Sequence, residues 1–160
     1  FSKDAVGLAN SWYTSQTNLS FEVGNAEDLP LEDNSKDIIY NVESSHCYGN
    51  VEAFVKEVYR SLRNGGNFCW TDFRDKETME KLHAIFLDAG FEIVSKKDVT
   101  KEVLDALDDI NDSKVKGISE SVPMGMKKSF ETFAGVQGTP VYEAFKAGSL
   151  YYHRYLMVKT

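Results

Sequence analysis

The sequence predicts an α/β fold built on a mostly parallel sheet. Strand-like and helix-like segments alternate through the first hundred residues. One helix shows an unbroken apolar face between two short apolar runs of strand character. Glycines stand where one period gives way to the next, at Gly65-Gly66 and Gly90.

The elements follow in order. Ser2 or Asp4 caps a helix predicted to run to about Gln16, with Val6 and Leu8 as its apolar positions. Leu19 to Val23 alternates with period two and reads as a short strand, and Gly24 to Ser35 is a polar loop around Pro30. Asp37 to Val42 is a second strand, whose continuous Ile38-Ile39-Tyr40 run suits cover on both faces. Val51, Phe54, Val55, Val58, Tyr59 and Leu62 share one helical face, with Asn50 as the cap and Gly65-Gly66 as the stop. Asn67 to Phe73 resumes as strand. Met79, Leu82, Ile85, Phe86 and Ala89 mark the next helix, Gly90 its C-cap, and Phe91 to Val94 a further strand. After Thr100 the alternation stops. Val103, Leu104, Leu107 and Ile110 form an amphipathic helix, 112–138 is mixed, and Thr139-Pro140 with Gly148 brackets a short helix over 140–147. Leu150 to Val158 is a final strand. Residues 100–148 are thus a helical insertion before the last strand, within a single domain over 1–160.

Composition narrows the function classes. The chain has 160 residues and a net charge of -7. That balance argues against a nucleic-acid backbone and against a polybasic membrane contact as the main partner. No apolar run approaches the ~20 residues that span a bilayer, and no secretory leader pattern opens the chain. Cys47 and Cys69 lack CxxC spacing and read as two buried free thiols in a reducing, cytoplasmic setting. The three histidines are too widely spaced to pair as metal ligands.

Three stretches, in order, carry a resemblance: Gly24-Asn25-Ala26-Glu27-Asp28-Leu29-Pro30-Leu31, Ser35-Lys36-Asp37-Ile38-Ile39, and Leu62-Arg63-Asn64-Gly65-Gly66 leading into the strand to Phe73. With the amphipathic helix between them, they resemble class I S-adenosylmethionine-dependent methyltransferases. Within that family the run Val42 to Tyr48, the Thr71-Asp72-Phe73-Arg74 strand end and the Phe133-Ala134-Gly135-Val136 segment look most like the phthiotriolone-type lipid methyltransferases. The resemblance covers essentially the whole chain. It implies a Rossmann-like sheet with an antiparallel last strand, S-adenosylmethionine as cofactor, and methyl transfer to an oxygen or nitrogen of a small, lipid-like acceptor.

Candidate site residues follow from that frame, because ligands of open α/β sheets bind beyond the carboxyl ends of the strands. Asn25, Ala26 and Glu27 follow the first strand and are candidates for adenine contact; the family usually has Asp at the position of Asn25, and a plain polar turn is the other reading. Asn41, Val42 and Ser44 end the second strand, where the methyl donor would sit. His46 and Tyr48 lie just past it. His46 is the candidate base, since histidine titrates near neutral pH; a structural histidine beside the strand end is the alternative. Asp72 either orients His46, binds substrate, or caps the following helix. His83 and His153 read as packing or surface residues. Glu27, Asp28, Glu32 and Asp33 read as a solvated loop face. Met124, Met126, Phe130 and Phe133 read as packing against the sheet, with a lipophilic pocket as the other choice.

The family's glycine-rich turn and ribose-binding acid have no counterpart here. Phe1 to Val6 resembles the stretch just after that acid, so the resemblance places two strands, the turn and the acid upstream. A partner chain or upstream segment would then complete the sheet. A catalytically inactive, partner-binding module is the rival from another class.

Overall fold

The computed structural model describes residues 2–160; Phe1, which opens the stretch just compared, lies outside them. In chain order the elements are α1 (Lys3–Trp12), β1 (Lys36–Val42), a 3₁₀ turn (Ser45–Cys47), α2 (Val51–Ser61), β2 (Leu62–Arg74), α3 (Lys76–Asp88) and β3 (Phe91–Asp98). Then come α4 (Thr100–Asp109), α5 (Asn111–Ser121), a 3₁₀ turn (Met124–Met126), α6 (Lys127–Phe133), α7 (Pro140–Lys146) and β4 (Tyr151–Lys159). The four strands form one sheet in the order β1-β2-β4-β3. β1 and β2 pair in parallel, while β4 runs antiparallel to both β2 and β3. Three strands therefore point one way and the last opposes them. No helix among the described residues is long and apolar enough to cross a membrane.

The core lies on one face of this sheet. Along β2, Phe68, Trp70 and Asp72 turn inward at 0, 1 and 0% exposure, while Cys69 and Thr71 between them are only half-buried. Phe54, Val55 and Val58 of α2 and Met79, Leu82 and Phe86 of α3 close over that face. Aromatic edges lock it: Phe68 meets Phe54 and Phe86, and Trp70 meets Phe86 and Tyr155, all at centroid distances of 5.6–6.0 Å. Each such ring removed from water stabilises the fold by about 1.5–3 kcal/mol.

The opposite face is bare, which corrects the reading of the Ile38-Ile39-Tyr40 run. Ile38, Tyr40 and Val42 are 62, 75 and 56% exposed. The run is apolar on both faces, yet α2 and α3 cover only the inward one. Leu19 to Val23 is not a strand either. A strand needs a neighbour, and β1 pairs only with β2. The side-chain amide of Asn10 takes the neighbour's place: its Nδ2 donates to the Phe21 carbonyl (2.9 Å) and its Oδ1 accepts from the Phe21 N–H (3.1 Å).

Three boundaries also move. α1 stops at Trp12 rather than Gln16; beyond Tyr13 the Thr14, Ser15 and Thr17 hydroxyl residues favour turns. α2 ends at Ser61, and β2 begins at Leu62 and runs through Gly65-Gly66. The glycine pair is an irregularity inside a strand, where the β1 register slips between Lys36 and Ile38. Gly65 has φ +79, and a Cβ on Gly66 would come within 2.8 Å of the Arg63 carbonyl oxygen. β3 continues to Asp98 because β4 offers it a partner that far.

Neither cysteine is buried. Cys69 is half-buried on the bare face and Cys47 is exposed on its 3₁₀ turn. Met124, Met126, Phe130 and Phe133 do not pack on the sheet: they are 88, 52, 43 and 89% exposed. α5 and α6 pack on one another and on α4 and α7, and α4 meets β4. Thr139 stands at the N-cap of α7 with Pro140 in the first turn, but its hydroxyl donates to the Val136 carbonyl rather than capping a helix N–H.

Candidate active site at the strand tips

β1 and β2 end side by side, with Asn41 opposite Trp70 and Val42 opposite Thr71. The chain leaves β1 through Glu43, a non-glycine residue with φ +45, whose N–H donates to the Thr71 carbonyl (3.0 Å). That bend lays the Ser45–Cys47 turn over the tip of β2, directly above Asp72.

Asp72 organises the turn. Its Oδ2 accepts from the Ser45 hydroxyl (2.9 Å) and the His46 backbone N–H (3.1 Å). Its Oδ1 lies 2.8 Å from His46 Nδ1 and accepts from the Phe73 N–H at 2.9 Å. The Arg74 guanidinium stands 3.3 Å away. Burial pushes the Asp72 carboxyl up, but the hydrogen bonds from His46, Phe73 and Ser45 and the Arg74 charge outweigh it and hold it below the usual carboxylate range. Asp72 is 0% exposed and does not line the cavity that His46 borders. The cap of α3 is Asp75, whose Oδ1 accepts from the Thr78 N–H (3.0 Å).

His46 lies over Phe73 with ring centroids 4.7 Å apart, and 29% of its side chain is exposed. It borders a cavity of about 450 Å³ between the strand tips and helices α4–α7. The walls are mostly apolar, with Phe73, Val103, Leu107, Phe133, Val141 and Phe145; Glu43 and Lys114 are the charged side chains beside His46. Lys114 donates to the Ala134 carbonyl (2.6 Å). Burial pulls its amine down while Glu43 pulls it up, and the net shift is down. Burial, reinforced by the Glu43 carboxylate, pushes the Tyr152 hydroxyl up.

Tyr48 faces elsewhere. Its hydroxyl is 3.0 Å from both Asn41 Nδ2 and Ser44 Oγ, and its ring rests edge-on against Phe54. With Gly24 to Glu27, Cys47 and Gly49 it borders a second hollow of about 340 Å³. The turn after Val23 and the tip of β1 thus meet through Tyr48, and Cys47 borders both hollows. Asn25 Oδ1 accepts from the Glu27 N–H (3.0 Å), closing a tight polar turn. Glu27 is half-buried, and its Oε1 accepts from the Asn50 N–H (2.9 Å). Arg60 ties the rest of the loop to α2 through Glu57, Asp33 and the carbonyls of Leu29 and Leu31. Asn41 is 7% exposed; its Nδ2 reaches Ser44 and Tyr48, and its Oδ1 is buried without a partner among the described residues.

Val42 does not join this group. It lies on the bare sheet face, in a separate hollow of about 440 Å³ with Tyr40, Cys69 and Arg154. His83 lies in α3 and His153 on β4, paired with Asp72 across the sheet; neither lines the His46 cavity, and burial lowers both. Sequence reasoning missed Glu43, Ser45 and Lys114. Glu43 and Ser45 fall inside the Val42–Tyr48 run, but Lys114 carries no local signal. No group of three side chains able to hold a metal ion occurs among the described residues.

Comparison with known proteins fits this geometry. Residues 1–70 match the family described as a methyltransferase domain. Over 141 residues the chain is 32% identical to a phthiotriol/phenolphthiotriol dimycocerosates methyltransferase of Mycobacterium tuberculosis, covering 88% of this chain and 52% of that one. It is 29% identical over 141 residues to a fatty-acid O-methyltransferase of Mycolicibacterium smegmatis, covering 88 and 51%. The chain is similar to class I S-adenosylmethionine-dependent methyltransferases in its domain match and in these relatives. The chain spans about half the length of the curated relatives it matches. Its fold is that of the phosphoethanolamine N-methyltransferase 2 of Haemonchus contortus (TM-score 0.76, 14% identity, 98% of this chain and 41% of that one). It is also that of the geranyl diphosphate C-methyltransferase of Streptomyces coelicolor (TM-score 0.68, 16% identity, 99 and 60%). A fold shared by enzymes named for nitrogen and for carbon acceptors does not by itself name an acceptor for this chain.

Proposed function

We propose that the protein moves the methyl group of S-adenosylmethionine to a hydroxyl oxygen of a small, lipophilic acceptor, with His46 as the base. The observation that carries this reading is the His46–Asp72 pair opening onto a cavity of about 450 Å³ with mostly apolar walls. With Asp72 ionised, Nδ1 of His46 holds the proton it donates to Oδ1, and Nε2 is left to accept one from an acceptor hydroxyl. The apolar walls suit a lipid-like body, and the names of the relatives, dimycocerosate and fatty-acid methyltransferases, lie in the same chemical class.

The residues present fit one side of the cofactor. Asn25, Ala26 and Glu27 border the 340 Å³ hollow, and the unpartnered Oδ1 of Asn41 is an acceptor for a donor group beside it. Asn25 and Ala26 would meet the adenine, Asn41 and Ser44 the amino acid part; when bound, the group supplies a methyl on a positively charged sulfur. Positioning the acceptor contributes most of the rate, and the base a further ~10²–10⁴-fold. In the complete protein, His46→Ala is expected to lower kcat by about that factor with KM little changed, followed by mass spectrometry of the methylated lipid. Unchanged turnover would remove His46 from the mechanism.

A further inference from the structure

The insertion between β3 and β4 carries its charge in two blocks. Residues 100–113 hold Lys101 against Glu102, Asp105, Asp108, Asp109 and Asp112. Residues 114–133 hold Lys114, Lys116, Lys127 and Lys128 against Glu120 and Glu131. A chain of net charge -7 therefore gathers a surplus of two positive charges over these twenty residues. The whole-chain charge, which argued against a basic surface, averages this away.

The same stretch exposes the large apolar side chains that nothing in the fold covers: Met124 at 88%, Met126 at 52% and Phe130 at 43%, followed by Phe133 at 89%. Single exposed apolar residues are ordinary, but four on one 3₁₀ turn and the short helix after it form a patch. Lys116 and Lys128 are exposed, while Lys114 and Lys127 hold backbone carbonyls and keep their charge nearby. Phe133 also stands at the rim of the His46 cavity, so the patch is continuous with the cavity mouth.

Apolar tips flanked by lysines match the boundary between headgroups and acyl chains, where methionine and phenylalanine enter and lysine stays with the phosphates. A second copy fits less well, because a two-fold contact through this patch would set lysines against lysines. We propose that the segment Lys114–Phe133 docks on an anionic lipid surface and holds the cavity mouth against it. The proposal rests on the exposed surface alone and does not depend on methyl transfer.

The test is co-sedimentation of the protein with vesicles of phosphatidylglycerol and phosphatidylcholine, beside vesicles of phosphatidylcholine alone. Binding is expected to the anionic vesicles and to weaken by on the order of tenfold or more on the neutral ones or at high salt. Met124→Asp with Phe130→Asp replaces exposed apolar side chains outside the core, so circular dichroism should match the parent while vesicle partition falls at least about tenfold. Lys116→Glu with Lys128→Glu should lose the preference for anionic lipid. A parent protein that stays in the supernatant, or a folded Met124→Asp/Phe130→Asp variant that pellets equally well, overturns the proposal. Either result leaves the methyl-transfer reading to its own assay.

Discussion

Asp72 touches Ser45, His46, Phe73 and Arg74 from a position closed to water, so it acts as structure and as chemistry at once. Asp72→Asn keeps the shape but loses the charge that faces His46 and Arg74. Leaving Arg74 without its buried counter-ion is expected to cost about 3–5 kcal/mol, read as a lower urea midpoint. Because the asparagine no longer fixes the His46 tautomer, kcat should fall and its pH profile should shift, which a purely structural loss would not do. The closeness of His46 and Asp72 was legible in the sequence, because His46 follows β1 and Asp72 lies near the end of β2, its parallel neighbour. The direction of Tyr48 was not. Tyr48 follows the 3₁₀ turn on extended backbone, φ -81 and ψ 141, so it leaves the direction of His46 and the two face different hollows. Lys114 reaches the cavity from a helix more than forty residues beyond Asp72, a distance no local pattern encodes.

Among the elements, the face and the N-cap of α2 were readable, since both are local properties, whereas its end fell at Ser61, ahead of the glycine pair. Asn50 Oδ1 accepts from the Ala53 N–H at 3.0 Å, and Asn50→Ala is expected to cost about 1 kcal/mol in a denaturant titration. The Leu19 to Val23 alternation was equally plain, yet no strand forms, because a ladder depends on a second segment. The glycine pair shows the reverse failure: two glycines signal a break, and the actual role is tight passage through a strand. Gly66→Ala would press a Cβ against the Arg63 and Asp37 carbonyl oxygens, at 2.8 and 3.1 Å, and against Leu62. Destabilisation of about 1–3 kcal/mol should appear as a lowered thermal midpoint. Gly65→Ala meets no atom but must hold φ +79, so its cost is of backbone origin.

For the molecule as a whole, one apolar layer between a sheet and two helices carries the stability. Phe86 is 0% exposed and packs against Phe68, Trp70 and Tyr155; Phe86→Ala is expected to cost about 3–5 kcal/mol by chemical denaturation. Acid should weaken the fold in two stages. Burial, with the Lys96 charge behind it, holds His83 and His153 below the usual histidine range, so the unfolded chain takes up those protons first. Their contribution is complete above about pH 6.5 and declines as pH drops through the lowered native values. Asp72, also lowered, contributes fully above about pH 3.9 and is lost below it. A denaturation midpoint flat from pH 7 to 5 would contradict the histidine stage. Fold class and strand directions were legible at this scale because alternation and order survive in any window of sequence. Which sheet face is covered was not, since Ile38 and Tyr40 are as apolar as residues that are buried.

Cys47 sits on the one short turn that walls off both hollows, and its sulfur is open to solvent, whereas Cys69 lies across the sheet on the bare side. A fluorophore or nitroxide attached there would sense occupancy from either direction. Filling one hollow with a bulky adduct would also shift the partition that bounds the other, so the two compartments are mechanically a single hinge-pin apart.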